Sequence, residues 1–242
     1  MNLFVYETPE ELAEAAARDF AARAEEAIVA LGLFAVALAG GSTPEKTYEV
    51  LARDYPDKLD WSKVHVFFGD ERTVHPNHED SNYRMVRETL LSRIRVGSVH
   101  RMRCELPPSE AAAAYERELR EFFGTDGVPA FDLILLGLGA DGHTASLFPE
   151  TSALDVTDRW VVANPVLKLE TSRLTLTIPV INAARAVTFL VAGENKAETL
   201  KQVLEGDADP RGYPAKFIYP EGGELTWMVD QAATSRLSKP LY

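Results

Sequence analysis

Two hydrophobic periods alternate along this chain. Continuous apolar runs at residues 33–39, 64–68, 133–136 and 187–191 have the length and composition of strands buried on both faces, and 225–229 reads as a last strand. Between them apolar positions recur at helical spacing, over residues 8–31, from 44 to about 55, 81–94, 111–123, and from 196 to about 204. The first helix carries its own punctuation: Thr8 is a predicted N-cap, Pro9 a first-turn residue, Glu10 and Glu11 suit the positive helix end, and Gly32 stops it. Residues 160–163 and 173–178 read as extended, and 206–223, rich in Pro and Gly, as surface loop. Strand and helix alternate almost throughout. That order predicts an α/β fold, a three-layer sandwich whose mostly parallel sheet is covered by helices on both faces, with residues 1–242 forming one domain.

Composition narrows the class of ligand. Hydrophobic residues make up 46% of the chain, ample for a core, and no apolar run approaches the length of a membrane span. The N-terminus lacks the basic-then-apolar pattern of a signal peptide, and the single cysteine, Cys104, rules out an internal disulfide, so a cytoplasmic setting is expected. A formal net charge of −12 argues against nucleic acid and against an anionic membrane as partner. A phosphorylated small molecule would need a local cluster of cations in the loops at the carboxyl edge of the sheet, where open α/β sheets bind their ligands.

Those loops hold the candidate chemistry. The most informative is the turn after 133–136, where Gly137, Gly139 and Gly142 surround a carboxylate, Asp141, and an imidazole, His143. Gly40-Gly41-Ser42-Thr43-Pro44 follows the 33–39 strand. It is either a tight turn with Ser42 or Thr43 as N-cap or an anion site made by the free amides of a helix N-terminus. It lacks the Gly-Lys-Ser/Thr ending of a nucleoside-triphosphate loop. Gly69-Asp70-Glu71-Arg72 is either a solvated ion-pair turn or a place where Arg72 forks onto an anion. In Gly193-Glu194-Asn195-Lys196, Lys196 opposes the dipole of the helix it begins, a local conflict that an anionic ligand would relieve. Arg173 stands evenly between a surface role and a ligand role. His75 and His78 lie in a polar loop without a third spaced partner, so no metal site is expected there, and nothing lifts His65 or His100 above packing.

Four motifs together carry a resemblance: Gly-Gly-Ser-Thr-Pro at 40–44, Gly-Asp-Glu-Arg at 69–72 with Ser-Asn-Tyr-Arg at 81–84, Gly-Leu-Gly-Ala-Asp-Gly-His-Thr-Ala-Ser-Leu-Phe-Pro at 137–149, and Ala-Gly-Glu-Asn-Lys at 192–196. In this order, over nearly its whole length, the chain resembles the glucosamine-6-phosphate isomerase/6-phosphogluconolactonase family, and within it the lactonases. The resemblance implies hydrolysis of 6-phospho-D-glucono-1,5-lactone, a phosphorylated sugar lactone of the pentose phosphate pathway, without metal or cofactor. It implies a monomer or small homo-oligomer as the working form. His143 matches the family's proposed general base. Gly41, Ser42, Thr43, Arg72 and Lys196 match its phosphate-binding groups, and Arg173 an arginine near the substrate. Asp70 and Asp141 match acidic positions. The sister deaminases continue the Asp-Gly-His turn into Asn-Glu-Pro. Here Leu147-Phe148-Pro149 stands in its place, so Phe148 discriminates against ring-opening deamination. A non-catalytic sugar-phosphate sensor is a second alternative, disfavoured because His143 is present and no segment is left for a helix-turn-helix module.

Overall fold

The computed structural model describes residues 1–125 and 127–238. Its strands, in chain order, are β1 (Asn2–Tyr6), β2 (Phe34–Leu38), β3 (Val64–Phe68), β4 (Asp70–Arg72), β5 (Ser98–Val99), β6 (Leu133–Leu136), β7 (Val161–Val166), β8 (Thr171–Leu176), β9 (Ala186–Val191) and β10 (Glu224–Asp230). The α-helices are α1 (Pro9–Leu31), α2 (Ser42–Asp54), α3 (Asn82–Val86), α4 (Pro108–Phe123), α5 (Ile178–Asn182), α6 (Ala197–Leu204) and α7 (Gln231–Thr234).

Seven strands form one sheet in the order β1-β10-β9-β6-β2-β3-β5, every pair parallel. Alternate side chains of the inner strands β2, β3, β6 and β9 enter opposite cores. Phe34, Val36 and Leu38 of β2 join α1 and α2 on one face, while Ala35 and Ala37 join α4 and the second sheet on the other. All five residues of β2 are buried, which is why the run contains no polar residue. The chain steps from β2 outward through β3 to β5, returns to β6 on the far side of β2, and proceeds through β9 to β10. Strand order therefore reverses between β2 and β6. The loops leaving these neighbours diverge and open a crevice at their carboxyl ends. No described helix is long and apolar enough to cross a membrane.

The pattern of residues misleads in several places. β1 is absent from the sequence reading because its residues are mostly exposed; it exists through its parallel ladder with β10 at the sheet edge. Residues 70–72 are not a loop: β4 pairs antiparallel with β8, which pairs with β7, making a separate three-stranded sheet. Ile178 does not end a strand but begins α5, with Pro179 in its first turn. The predicted helix over 81–94 is α3 followed by a π-helical turn at Arg87–Leu91. Within 206–223, the 3-10 turn Pro214–Phe217 buries Ala215 and is not simple surface loop. Thr8 and Gly32 do cap α1 as expected, Thr8 accepting from Glu11 N–H at 3.2 Å and Gly32 adopting φ 81°.

Phe67 sits at the junction of β3, α4 and the edge of the sheet. Its ring stacks on His100 at 4.3 Å and meets Phe131 edge-on at 5.3 Å. Phe67→Ala is expected to lower the unfolding free energy by about 3–5 kcal/mol. In urea the midpoint should fall with an unchanged slope, since the unfolded surface is the same.

Candidate active site

Each strand that ends at the crevice contributes a turn. After β2, Gly41 takes φ +99° and is itself the N-cap of α2, with no side-chain cap. The alternative of Ser42 or Thr43 as N-cap is thereby removed, because both lie inside the first helical turn. The first hydrogen bond of this turn runs from Glu45 N–H to the Gly41 carbonyl at 3.0 Å, so the preceding amides face the crevice at the positive helix end.

After β3, the buried Asp70 carboxylate accepts from Ser146 Oγ at 2.6 Å and from Asn82 Nδ2 at 3.3 Å. Glu71, also buried, turns the other way. It accepts from the N–H groups of Arg72, Asn82 and Tyr83 at 2.8 Å each and from Ser81 Oγ at 3.1 Å. It thus ties β4 to the start of α3 and is no solvated ion-pair residue. Arg72 donates to the Asp80 carbonyl at 2.6 Å and stands directly opposite Arg173 in the β4–β8 ladder. Like charges in register repel. Burial, and then the neighbouring Arg72, pull Arg173 below the ordinary guanidinium pKa. Among the described residues neither arginine, nor Lys196, has a carboxylate ion-pair partner. Arg72 and Lys196 line one part of the cleft, where an anion would meet both, and Arg173 lines the adjoining part with Arg72.

After β6 the glycine turn folds back on itself: Gly139 N–H donates to the His143 carbonyl at 2.8 Å, and Gly142 N–H to the Gly139 carbonyl at 3.0 Å. A Cβ on Gly139 would lie 2.0 Å from His143 Nδ1, so the imidazole occupies the space a side chain would need. Ala215 N–H holds the Gly142 carbonyl at 3.0 Å, which gives the 3-10 turn in 206–223 a supporting part in the site. His143 Nδ1 donates to Asp141 Oδ1 at 2.5 Å, and Lys168 Nζ binds Asp141 Oδ2. Burial raises the Asp141 carboxyl, but the hydrogen bonds from His143 and Lys168 outweigh it and hold the group well below the usual carboxylate range. The Phe148 ring stacks on the imidazole at 4.2 Å and 26°. In the neutral imidazole, an Nδ1 proton given to the Asp141 carboxylate leaves Nε2 as the acceptor. Next to it Ala145 adopts φ 47°, a left-handed backbone at a non-glycine residue.

The cleft has two connected chambers. The inner, of about 300 Å³, is lined by Gly41, Ser42, Thr43, Asp70, Arg72, His143 and Lys196. The outer, of about 470 Å³, is lined by Asp141, Phe148, Lys168 and Arg173 and shares Asp70, Arg72 and His143 with the inner. Gly41, Ser42, Thr43, Asp70, Arg72, Asp141, His143, Arg173 and Lys196, the site residues expected from the sequence, each line one chamber or both. Sequence reasoning missed Ser146, Asn82, Glu71 and Lys168. Ser146 and Asn82 sat within quoted motifs, but their shared partner Asp70 lies outside the local turn of either. Lys168 had no local signal at all. The other histidines lie elsewhere. His75 and His78 accept from backbone amides two residues on, at 3.3 and 3.2 Å. His65 and His100 are bridged through Ser98 Oγ, at 2.7 and 2.6 Å, to Glu118, which staples β3 and β5 to α4.

Residues 7–227 match the family described as Glucosamine-6-phosphate isomerases/6-phosphogluconolactonase. A 6-phosphogluconolactonase of Synechocystis sp. is 48% identical over 220 residues, which is 89% of this chain and 89% of that protein. A 6-phosphogluconolactonase of Nostoc sp. is 46% identical over 219 residues, 88% of this chain and 89% of its own length. The solved 6-phosphogluconolactonase from Trypanosoma brucei superposes with a TM-score of 0.88 at 31% identity, covering 98% of each chain. Likeness of this extent, in sequence and in three dimensions, leaves one conclusion: the chain belongs to the glucosamine-6-phosphate isomerase/6-phosphogluconolactonase family.

Proposed function

We propose that this chain is a lactone hydrolase that opens 6-phospho-D-glucono-1,5-lactone to 6-phosphogluconate in the pentose phosphate pathway, residues 1–242 acting as a single domain. Residue 126 and residues 239–242 lie outside the described residues. The activity is that named for the relatives in Synechocystis and Nostoc. The observation that carries the residue assignment is the His143 imidazole, hydrogen-bonded through Nδ1 to Asp141, on the wall shared by two chambers of which one holds the helix N-terminus, Arg72 and Lys196.

The substrate phosphate binds the open amides at Gly41, Ser42 and Thr43 together with Arg72 and Lys196. This binding is remote from the reacting carbon and orients the lactone ring across His143. His143 Nε2 then takes a proton from water as the water oxygen adds to the lactone carbonyl carbon. The carbonyl electron pair moves onto oxygen, where Arg173 or amides of the glycine turn stabilise it. Collapse of the tetrahedral adduct expels the ring oxygen, which receives the proton from the imidazolium. The new carboxylic acid ionises, and His143 is again neutral. Asp141 holds the Nδ1–H tautomer throughout, and the stacked Phe148 fixes the ring plane. A sister deaminase would need a carboxylate where Phe148 stands, and the ring packed on His143 leaves that role unfilled.

The wild-type chain is expected to accelerate opening of the freshly prepared phosphorylated lactone above its spontaneous rate. His143→Ala should lower kcat by about 10²–10⁴-fold with little change in KM. Near-normal turnover in that variant would contradict the base assignment. Arg72→Ala removes a charged hydrogen bond to phosphate and should raise KM by about 10- to 100-fold. Asp141 also marks stability against pH. Its carboxyl is held below the unfolded value, so its contribution is fully present above the unfolded pKa, about 3.9. It is lost as pH falls from there through the folded value. Urea midpoints measured from pH 7 down to pH 2 should show a shallower acid loss in Asp141→Asn than in the wild type.

A further inference from the structure

The tip of the β7–β8 hairpin reaches the site with one side chain. Strand β7 ends at Val166, a 3-10 turn spans Leu167–Leu169, and Glu170 at φ 49° turns the chain into β8, its N–H returning to the Leu167 carbonyl at 3.1 Å. Leu167 is almost fully exposed, so apolar burial is not what draws the tip inward. Lys168 bends onto the cleft. Its Nζ binds Asp141 Oδ2 and stands 5.1 Å from the centroid of Phe148. Asp141 and Phe148 are the two groups that fix the His143 ring, and this lysine touches both.

We propose that Lys168 is a positioning residue of the cleft, its ammonium sharing the Asp141 carboxylate with His143 so that the imidazole remains an unprotonated base at neutral pH. A carboxylate bonded only to Nδ1–H stabilises the imidazolium and so removes part of the base at neutral pH. A cation on the second oxygen offsets that stabilisation while keeping the carboxylate plane, and with it the tautomer, in place. The low proton affinity of Asp141 agrees with its serving three donors at once, the Nδ1–H and backbone N–H of His143 and the ammonium of Lys168. The other charged groups lining the two chambers are Asp70 beyond β3, Arg72 on β4, Arg173 on β8 and Lys196 beyond β9. None of them carries Lys168's contact with Asp141, so a change at residue 168 removes the cation from that carboxylate and leaves the other charges in place.

The inference rests on His143 being the base, and the experiment separates the two claims. The imidazole of His143 is titrated by NMR in the free protein, for the wild type, Lys168→Met and Lys168→Arg, and the pH dependence of kcat/KM for the phosphorylated lactone is measured alongside. Lys168→Met is expected to move the His143 titration up by about half to one pH unit, and the acid limb of kcat/KM with it. Lys168→Arg, which keeps the charge, should restore both. An imidazole titration that stays in place in Lys168→Met overturns the proposal. A KM raised at every pH with an unmoved titration also overturns it, since Lys168 would then be a substrate contact. If the titration moves while the kinetic limb does not, Lys168 governs the imidazole as proposed and the assignment of His143 as base is what fails.

Discussion

The reversal of strand order between β2 and β6 is the constraint from which the site follows. Parallel strands send all their carboxyl ends to one edge, and neighbours whose connections leave in opposite directions cannot close that edge with a loop. The gap that results is floored by Gly40 and Gly41 on one side and by the Gly137–Gly142 turn on the other. Helix α2 points its N-terminus into it because α2 must start where β2 stops. The cleft is thus a product of topology first, and its chemistry is added by the few side chains that reach it.

Electrostatics in this cleft runs against the rest of the molecule. A chain with net charge −12 repels a phosphorylated ligand at long range, yet salt screens that field beyond about 8–10 Å. At contact distance the open amides of α2, the Arg72–Arg173 pair and Lys196 set the local potential. The arginines face each other in register at a cost to the β4–β8 ladder, and the left-handed Ala145 sits beside them in the same cleft. Such conflicts of local preference are what a cleft shaped for a ligand would carry.

Much of the site was legible in the sequence because its parts are local. A buried apolar run followed by glycines and one or two polar residues marks a strand end, and His143, Asp141, Ser42 and Lys196 all sit within such turns. The caps of α1 were legible for the same reason. What could not be read is long-range. Residues 70–72 pass for a charged turn until β8, about a hundred residues later, pairs with them. Glu71 looks solvated until α3 folds its amides onto it. Lys168 stands among Val166, Leu167 and Leu169 with no polar motif around it, and only the β7–β8 hairpin carries it to Asp141. Strand β1 has no buried face to leave a pattern.

In the proposed mechanism, phosphate binding at the β2 turn, remote from the carbonyl, positions the lactone against His143. The direct measurement is kcat/KM for 6-phosphoglucono-δ-lactone against unphosphorylated glucono-δ-lactone on the same wild-type protein. Several charged hydrogen bonds to phosphate, each contributing about 1.5–3 kcal/mol, predict a preference of at least about 10³ for the phosphorylated substrate. Equal values for the two lactones would mean that the amides and cations of the inner chamber take no part in catalysis, and the account would fall.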